Sequence, residues 1–247
     1  MSRTPLPFRL GAKGAMLLVV AAVIASGGSG DRLRSADEAA GGGVIEGVVV
    51  YEYDSERPWR YARYYVQNQK TGELSEAVVC LTDKSLRSLN RRREPEQAEM
   101  DQKDYRFQPE TLAVRAGDSV KFTNSDPAAH NVRTDDGADP FNVSMGADGS
   151  HVQQFRRAGG VKRPIRIGCA LHSTMRAWIF VFDHPFYAVT STDGAFRFED
   201  VPPGEYNISM VHPSGDLEWT GTVEVSRDET SELEIRVSPD NLVKENR

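Results

Sequence analysis

Cys169, His172 and Met175 recur at intervals of three residues in Cys169-Ala170-Leu171-His172-Ser173-Thr174-Met175, and His130 stands 39 residues upstream of Cys169. One thiolate and two imidazoles form a trigonal donor set that suits copper, and a thioether adds a long, weak axial contact. The constellation reads as a mononuclear blue (type 1) copper site with His130, Cys169, His172 and Met175 as ligands. A short loop carrying three donors, closed by a distant histidine, fixes the geometry before metal arrives. Copper then cycles between Cu(I) and Cu(II) with little rearrangement, which is what one-electron transfer requires.

Such donors need a β framework to hold them. Phe107 to Val114 and Ala116 to Phe122 read as strand, turn, strand. Thr123-Asn124-Ser125-Asp126 leads into His130-Asn131-Val132, and Arg176 to Val181 is a strand leaving the ligand loop. On these residues and the cysteine-loop spacing, the stretch from about Met100 to His184 resembles a cupredoxin of the amicyanin and plastocyanin type. The resemblance implies a Greek-key β-sandwich, a single Cu(I)/Cu(II) cofactor, and an Asn131 side chain that ties the two ligand loops together. Ile167, where many relatives carry an aromatic, and Gly168 depart from the pattern, touching packing and redox tuning more than ligation. A narrower likeness, through Asp101-Gln102-Lys103 and Asp183 to Thr190, is to exported bacterial proteins described as methylamine-utilisation-like, and it establishes no substrate.

The remaining chain is also β in pattern. Val44 to Tyr51 and Ala77 to Leu81 are β-branched runs, while Gly221 to Val225 and Leu233 to Val237 alternate at period two. Asp193-Gly194 between strand-like runs is a hairpin signal. The stretch from Thr192 to Tyr206, with Val201-Pro202-Pro203-Gly204-Glu205-Tyr206, resembles the carboxypeptidase regulatory-like, transthyretin-related β-sandwich. In that module a Gly-x-Val strand and an Ala-x-Val-x-Leu strand come first, and here their counterparts, Gly47 to Tyr51 and Ala77 to Leu81, precede the copper segment. The expected fold is therefore all-β, a cupredoxin sandwich inserted in or joined to a second, regulatory-like sandwich. The expected order is a signal peptide at 1–26, a flexible tether at 27–43, the first strands of the second sandwich at 44–84, the cupredoxin at 98–184, the remainder at 185–239 and a tail at 240–247. Leu86 to Met100, including Arg91-Arg92-Arg93, reads as the entry linker.

At 39% hydrophobic content the chain has ample apolar material for packed cores. Arg3, Arg9 and Lys13 precede an apolar run of 11 residues, Ala15 to Ala25, well short of the ~20 that a membrane-spanning helix needs, and small residues follow. This is the pattern of a signal peptide, with a periplasmic or cell-surface destination. Losing its three basic residues takes the formal net charge from −6 to −9, and so acidic a protein argues against nucleic acid as partner. In an exported chain, the ordinary fate of Cys80 and Cys169 is a disulfide, but a disulfide does not account for His172, Met175 and a distant His-Asn at these spacings. Cys80 in an apolar strand reads as a buried thiol, His151 and His184 as surface or structural, His212 as structural with a second metal as the alternative, and Met145 as core.

Between Gly149 and Phe182 lie six bases, Arg156, Arg157, Lys162, Arg163, Arg166 and Arg176, and no acids, whereas Thr190 to Arg247 carries thirteen acids against five bases. Separated charge orients a carrier during encounter with a redox partner, so Ala170 and Leu171 beside His172, ringed by Arg163, Arg166 and Arg176, read as a docking surface. The expected partner is a redox protein such as a c-type cytochrome or dehydrogenase, met by a monomer. With five histidines and no nucleophile and base pair in evidence, the chain does not read as an enzyme. A copper carrier or buffer, or a cell-surface binding module with a structural cupredoxin, are the competing readings.

Overall fold

The computed structural model describes residues 41–52, 56, 71–89, 94–136, 140–238 and 241. The expected signal peptide, most of the tether and tail, and Arg91-Arg92-Arg93 lie outside them. In chain order the strands are β1 (Gly43–Tyr51), β2 (Val78–Leu81), β3 (Gln97–Lys103), β4 (Arg106–Gln108), β5 (Thr111–Arg115), β6 (Ser119–Asn124), β7 (His130–Thr134) and β8 (Phe141–Met145). Then come β9 (Ser150–Gln154), β10 (Ile165–Gly168), β11 (Arg176–Phe182), β12 (Tyr187–Val189), β13 (Ala195–Val201), β14 (Gly204–His212), β15 (Leu217–Val225) and β16 (Thr230–Val237). The chain is all-β, its helices among the described residues being short 3-10 turns. No helix among them is long and apolar enough to cross a membrane.

The strands make four sheets, in the orders β13-β1-β16, β12-β2-β14-β15, β5-β11-β10-β7-β8 and β4-β3-β6-β9. The first two face each other across a core that includes Ile45, Val49, Val79, Leu81, Phe196, Ile208, Met210 and Ile235. The other two enclose Met100, Phe107, Val120, Phe122, Val132, Ile167, Ile179 and Val181. Strands from both sides of the copper segment share sheets: β1 pairs with β13 and β16, and β2 pairs with β12 and β14. Thr190 stitches the two sides, its hydroxyl donating to the Leu74 carbonyl at 2.6 Å and accepting from the Ala77 amide at 2.9 Å.

β2 is buried on both faces. Because successive side chains point to opposite sides of a strand, Val79 and Leu81 enter the first core while Val78 and Cys80 turn the other way. There they meet Phe180 and Phe182 of β11, whose alternate residues Ile179 and Val181 enter the other core. The two sandwiches thus meet back to back through one apolar layer, with an Arg87–Asp183 ion pair of 2.7 Å at its edge.

Three expectations are corrected. Asp193-Gly194 makes a turn but no hairpin, since β12 and β13 on either side lie in different sheets. The turn is closed locally, Asp193 accepting from the Ser191 hydroxyl and the Ala195 amide, and a Cβ at Gly194, whose φ is +74°, would meet the Val49 carbonyl at 2.6 Å. β2 takes up β12 as its partner instead. Within the stretch read as linker, the 3-10 turn Lys84–Leu89 buries Leu86 in the core, and β3 begins at Gln97. The stretch read as tether to residue 43 ends sooner, with Gly43 opening β1.

Burial alone pushes the Cys80 thiol up from 9.0 to about 12. The unfolded chain ionises this thiol first, so its contribution to stability is complete below pH 9.0 and is lost as pH rises toward about 12. Denaturant titrations should show the wild type losing about 1.4 kcal/mol per pH unit relative to Cys80→Ala in that window. A difference that stays flat across it would contradict the burial of Cys80.

Candidate metal centre

The site begins with two neighbouring strands. β7 and β10 are paired with Gly168 opposite Arg133, so the start of β7 and the end of β10 lie at the same edge of the molecule. His130 opens β7 and Cys169 follows β10 directly. The loop from Cys169 to Met175 closes on itself, the Met175 amide donating to the His172 carbonyl at 3.1 Å and the Cys169 amide to the Met175 carbonyl at 3.4 Å.

His130, Cys169 and His172 offer donor atoms that all lie within 4.8 Å of one another. The two Nδ1 atoms of His130 and His172 are 3.0 Å apart, and Cys169 Sγ is 3.7 Å from His172 Nδ1. With bonds of about 2.0 Å to imidazole and about 2.3 Å to thiolate, a trigonal centre needs separations of about 3.5 Å between nitrogens and about 3.7 Å between nitrogen and sulfur. The sulfur–nitrogen separation at His172 matches such a centre, and the nitrogen–nitrogen separation is about half an ångström short of it. His130, Cys169 and Met175 are buried, while His172 is half-buried next to exposed Ala170 and Leu171. Met175 belongs to the same apolar cluster as Cys169, and so does Met145, which pairs with His130 across β7 and β8.

Hydrogen bonds surround the donors. The Asn131 amide donates to Cys169 Sγ at 3.3 Å. Its side chain ties the loops: Oδ1 accepts from the Ala170 amide at 3.1 Å, while Nδ2 donates to Asn142 Oδ1 at 2.6 Å and to the Val143 carbonyl at 3.2 Å. Asn124 shapes the approach to His130, donating to the Ala128 and Gly146 carbonyls at 2.9 Å each and accepting from the Asp126 amide at 3.1 Å. His130 Nε2 meets the buried carboxylate of Asp126 at 2.7 Å. Burial would raise the Asp126 carboxyl, but hydrogen bonds from the Tyr105 amide, His130 and the Asp104 amide together hold it below the usual range.

The remaining sequence candidates divide. Arg166 and Arg176 line one cavity with Arg133, Cys169 and Ala170. Arg176 also lies over the Trp178 ring at 5.5 Å and reaches Ser214 at 3.4 Å. Arg163 is not brought to that cavity; it lines separate grooves with Lys162 at the far end of β10. Both cysteines are free, Cys80 in the layer between sandwiches and Cys169 in the copper-segment core. His184 is buried, its Nδ1 accepting from the Phe186 amide at 3.2 Å, and burial lowers its pKa. Sequence reasoning passed over Asp126, Asn124 and Tyr105.

Residues 96–165 match the family model described as copper binding proteins of the plastocyanin/azurin family. The match spans well under half of the chain and includes His130, but ends before Cys169. Among solved structures, a methionine-to-alanine mutant of amicyanin in the Cu(I) state is 21% identical with a TM-score of 0.32, covering 35% of this chain and 82% of that one. A Cu-containing nitrite reductase from Thermus scotoductus SA-01 is 23% identical with a TM-score of 0.33, covering 38% of this chain and 24% of that one. An oxidised proline-to-alanine mutant of amicyanin is 22% identical with a TM-score of 0.32, covering 35% and 82%. Likenesses of this size carry no weight for function. No curated protein matches the chain. The family match supports a copper-binding cupredoxin segment, and the His-Cys-His donor set suits that metal.

Residues that hold metal ligands in place are worth about ten- to hundredfold in metal affinity. Asn131→Ala removes three side-chain hydrogen bonds and leaves the backbone donor to sulfur intact. Competition titration against a Cu(I) chelator should show weakening of that order, with little change in the folded fraction by circular dichroism.

Proposed function

We propose that the protein is an exported type 1 copper protein that transfers one electron at a time, with a single ion held by His130, Cys169, His172 and Met175. The observation that carries this reading is the convergence of one cysteine and two histidines from separate segments, at separations suited to a trigonal centre. Copper, when bound, supplies the one-electron couple. The chain supplies the rest. Burial of His130 and Cys169 keeps water from the donors, the Asn131 amide holds the sulfur in place, and the half-buried His172 provides the route to the surface. A preformed donor set changes little between oxidation states, which keeps the barrier to electron exchange low.

In this reading the copper module spans about residues 98–184 and is seated within a regulatory-like sandwich made by the strands before and after it. The destination is the periplasm or cell surface, and the role is that of a carrier, not an enzyme. Cys169→Ala should abolish the visible thiolate-to-Cu(II) absorption of the copper-loaded protein and its EPR signature. A band that survives the substitution removes Cys169 from the ligand set. Copper uptake without reversible reduction would point to a carrier or buffer, and no uptake at all to a structural module.

Docking falls to the surface around His172, where Ala170 and Leu171 are exposed and Leu171 is 58% accessible. Arg166 and Arg176 share a cavity with Ala170, Arg133, Asp135 and Asp136, and they are the basic groups offered to an acidic redox partner such as a c-type cytochrome or a dehydrogenase. Charge steering is screened over ~8 Å at physiological salt. Stopped-flow exchange with an acidic cytochrome should therefore slow as salt rises and slow again in Arg166→Glu/Arg176→Glu. Arg163→Glu, on a separate groove, should have the smaller effect. Equal effects from both sets of reversals would move the docking face away from His172.

A further inference from the structure

We infer that Asp126 is the positioning residue of the His130 half of the site, and that its carboxylate sets the His130 imidazole and the Asp104-Tyr105 turn as one unit. The inference deepens the copper reading above and rests on it only where a reduction potential is measured. Three donors converge on this carboxylate. Oδ1 accepts from the Asp104 amide at 2.8 Å, and Oδ2 accepts from the Tyr105 amide at 3.0 Å and from His130 Nε2 at 2.7 Å. His130 and Asp126 are both buried, so water competes little for the bond between them.

With Nε2 turned to the Asp126 carboxylate, an acceptor for its N–H, the lone pair available to a metal is the one on Nδ1. That lone pair faces His172 Nδ1, 3.0 Å away, which is the direction a metal requires. The choice of tautomer is thus made before metal binds. A carboxylate on the far nitrogen also makes the imidazole a more basic ligand, and this favours Cu(II) over Cu(I).

The second half of the unit is the β3–β4 hairpin. Its loop is Asp104-Tyr105, with φ of +54° and +58°. Two-residue loops of this kind favour Asn-Gly or Asp-Gly, and a bulky side chain at positive φ is an outlier that points to a local purpose. The two amides bound to Asp126 hold the strained pair. Its effect is to set the Tyr105 ring against both imidazoles at once, 5.3 Å from His130 and 5.0 Å from His172, at interplanar angles of 84° and 90°. Tyr105 is 52% exposed even so. It covers one side of the donor pair while presenting an aromatic surface beside the ligand loop.

Nitrogen-15 NMR of the metal-free wild type should show His130 as the Nε2–H tautomer. In Asp126→Asn the three donors face a single amide oxygen, so at least one must lose its partner. Hydrogen exchange at the Asp104 or Tyr105 amide should speed up by about tenfold or more, the factor expected from loss of a charge-assisted hydrogen bond. The reduction potential of the copper-loaded variant should rise, a shift that a merely structural carboxylate would not produce. Tyr105→Gly, which relieves the positive φ without touching the carboxylate, should keep the wild-type tautomer. An Nδ1–H tautomer in the wild type overturns the inference whether or not Asp126→Asn folds. Wild-type amide exchange, or an unshifted potential, in Asp126→Asn overturns it too. If the protein takes up no copper the copper reading fails, and the tautomer and exchange measurements on the metal-free protein alone decide the role of Asp126.

Discussion

The copper reading of this chain rests on the pairing of β7 with β10. A cysteine and a histidine 39 residues apart reach one another only because each sits at the end of a strand and those strands are neighbours in register. Asn131 makes the arrangement specific. Its backbone points at the sulfur, and its side chain spans from the cysteine loop to β8. A side chain that bridges three segments removes freedom from all of them, and this holds the donors together. The rest of the sandwich keeps those strand ends still: Ile167 and Val132 lie in its core one or two residues away from the donors.

The cysteine and two histidines that converge were legible in the sequence because their chemistry is unusual and two of them share one short loop. Asn131 was legible through its place next to His130. The strand runs were legible as well, since β-branched residues and period-two alternation reflect burial on one face directly. Asp126 was not. Four residues before His130 it reads as a turn former, and its partners are amides of a hairpin more than twenty residues upstream, brought close by the parallel pairing of β3 with β6. Tyr105 was hidden for the same reason, as no local pattern foretells a tyrosine at positive φ. Arg163 was named by counting charge along the chain, and the length of β10 separates it from the ligand loop.

Asp193-Gly194 shows a related limit. Its turn chemistry is real, and the structure uses it, but turn residues fix a local reversal and not the partner of the strand that follows. β12 has a choice between β13 and β2, and the apolar layer behind β2 decides it. That layer also explains a sequence feature which looked redundant, the unbroken apolar run Val78-Val79-Cys80-Leu81. A strand that serves one core alternates, and a strand that serves two does not.

The excursion from β2 to β12 has a geometric consequence. The chain leaves at Leu81 and returns at Phe186, where the amide of the former bonds the carbonyl of the latter at 3.1 Å. The roughly hundred residues between are therefore anchored at two points separated by a single strand spacing, ~4.8 Å. To the outer sandwich they are topologically equivalent to the loop of a hairpin. Any segment whose own ends lie one strand apart could occupy that position, so the outer sandwich is a socket indifferent to the metal chemistry of what it holds. The apolar layer formed by Val78, Cys80, Phe180 and Phe182, together with Leu86 in the outer core and the Arg176–Ser214 contact, makes this particular occupant more than a graft.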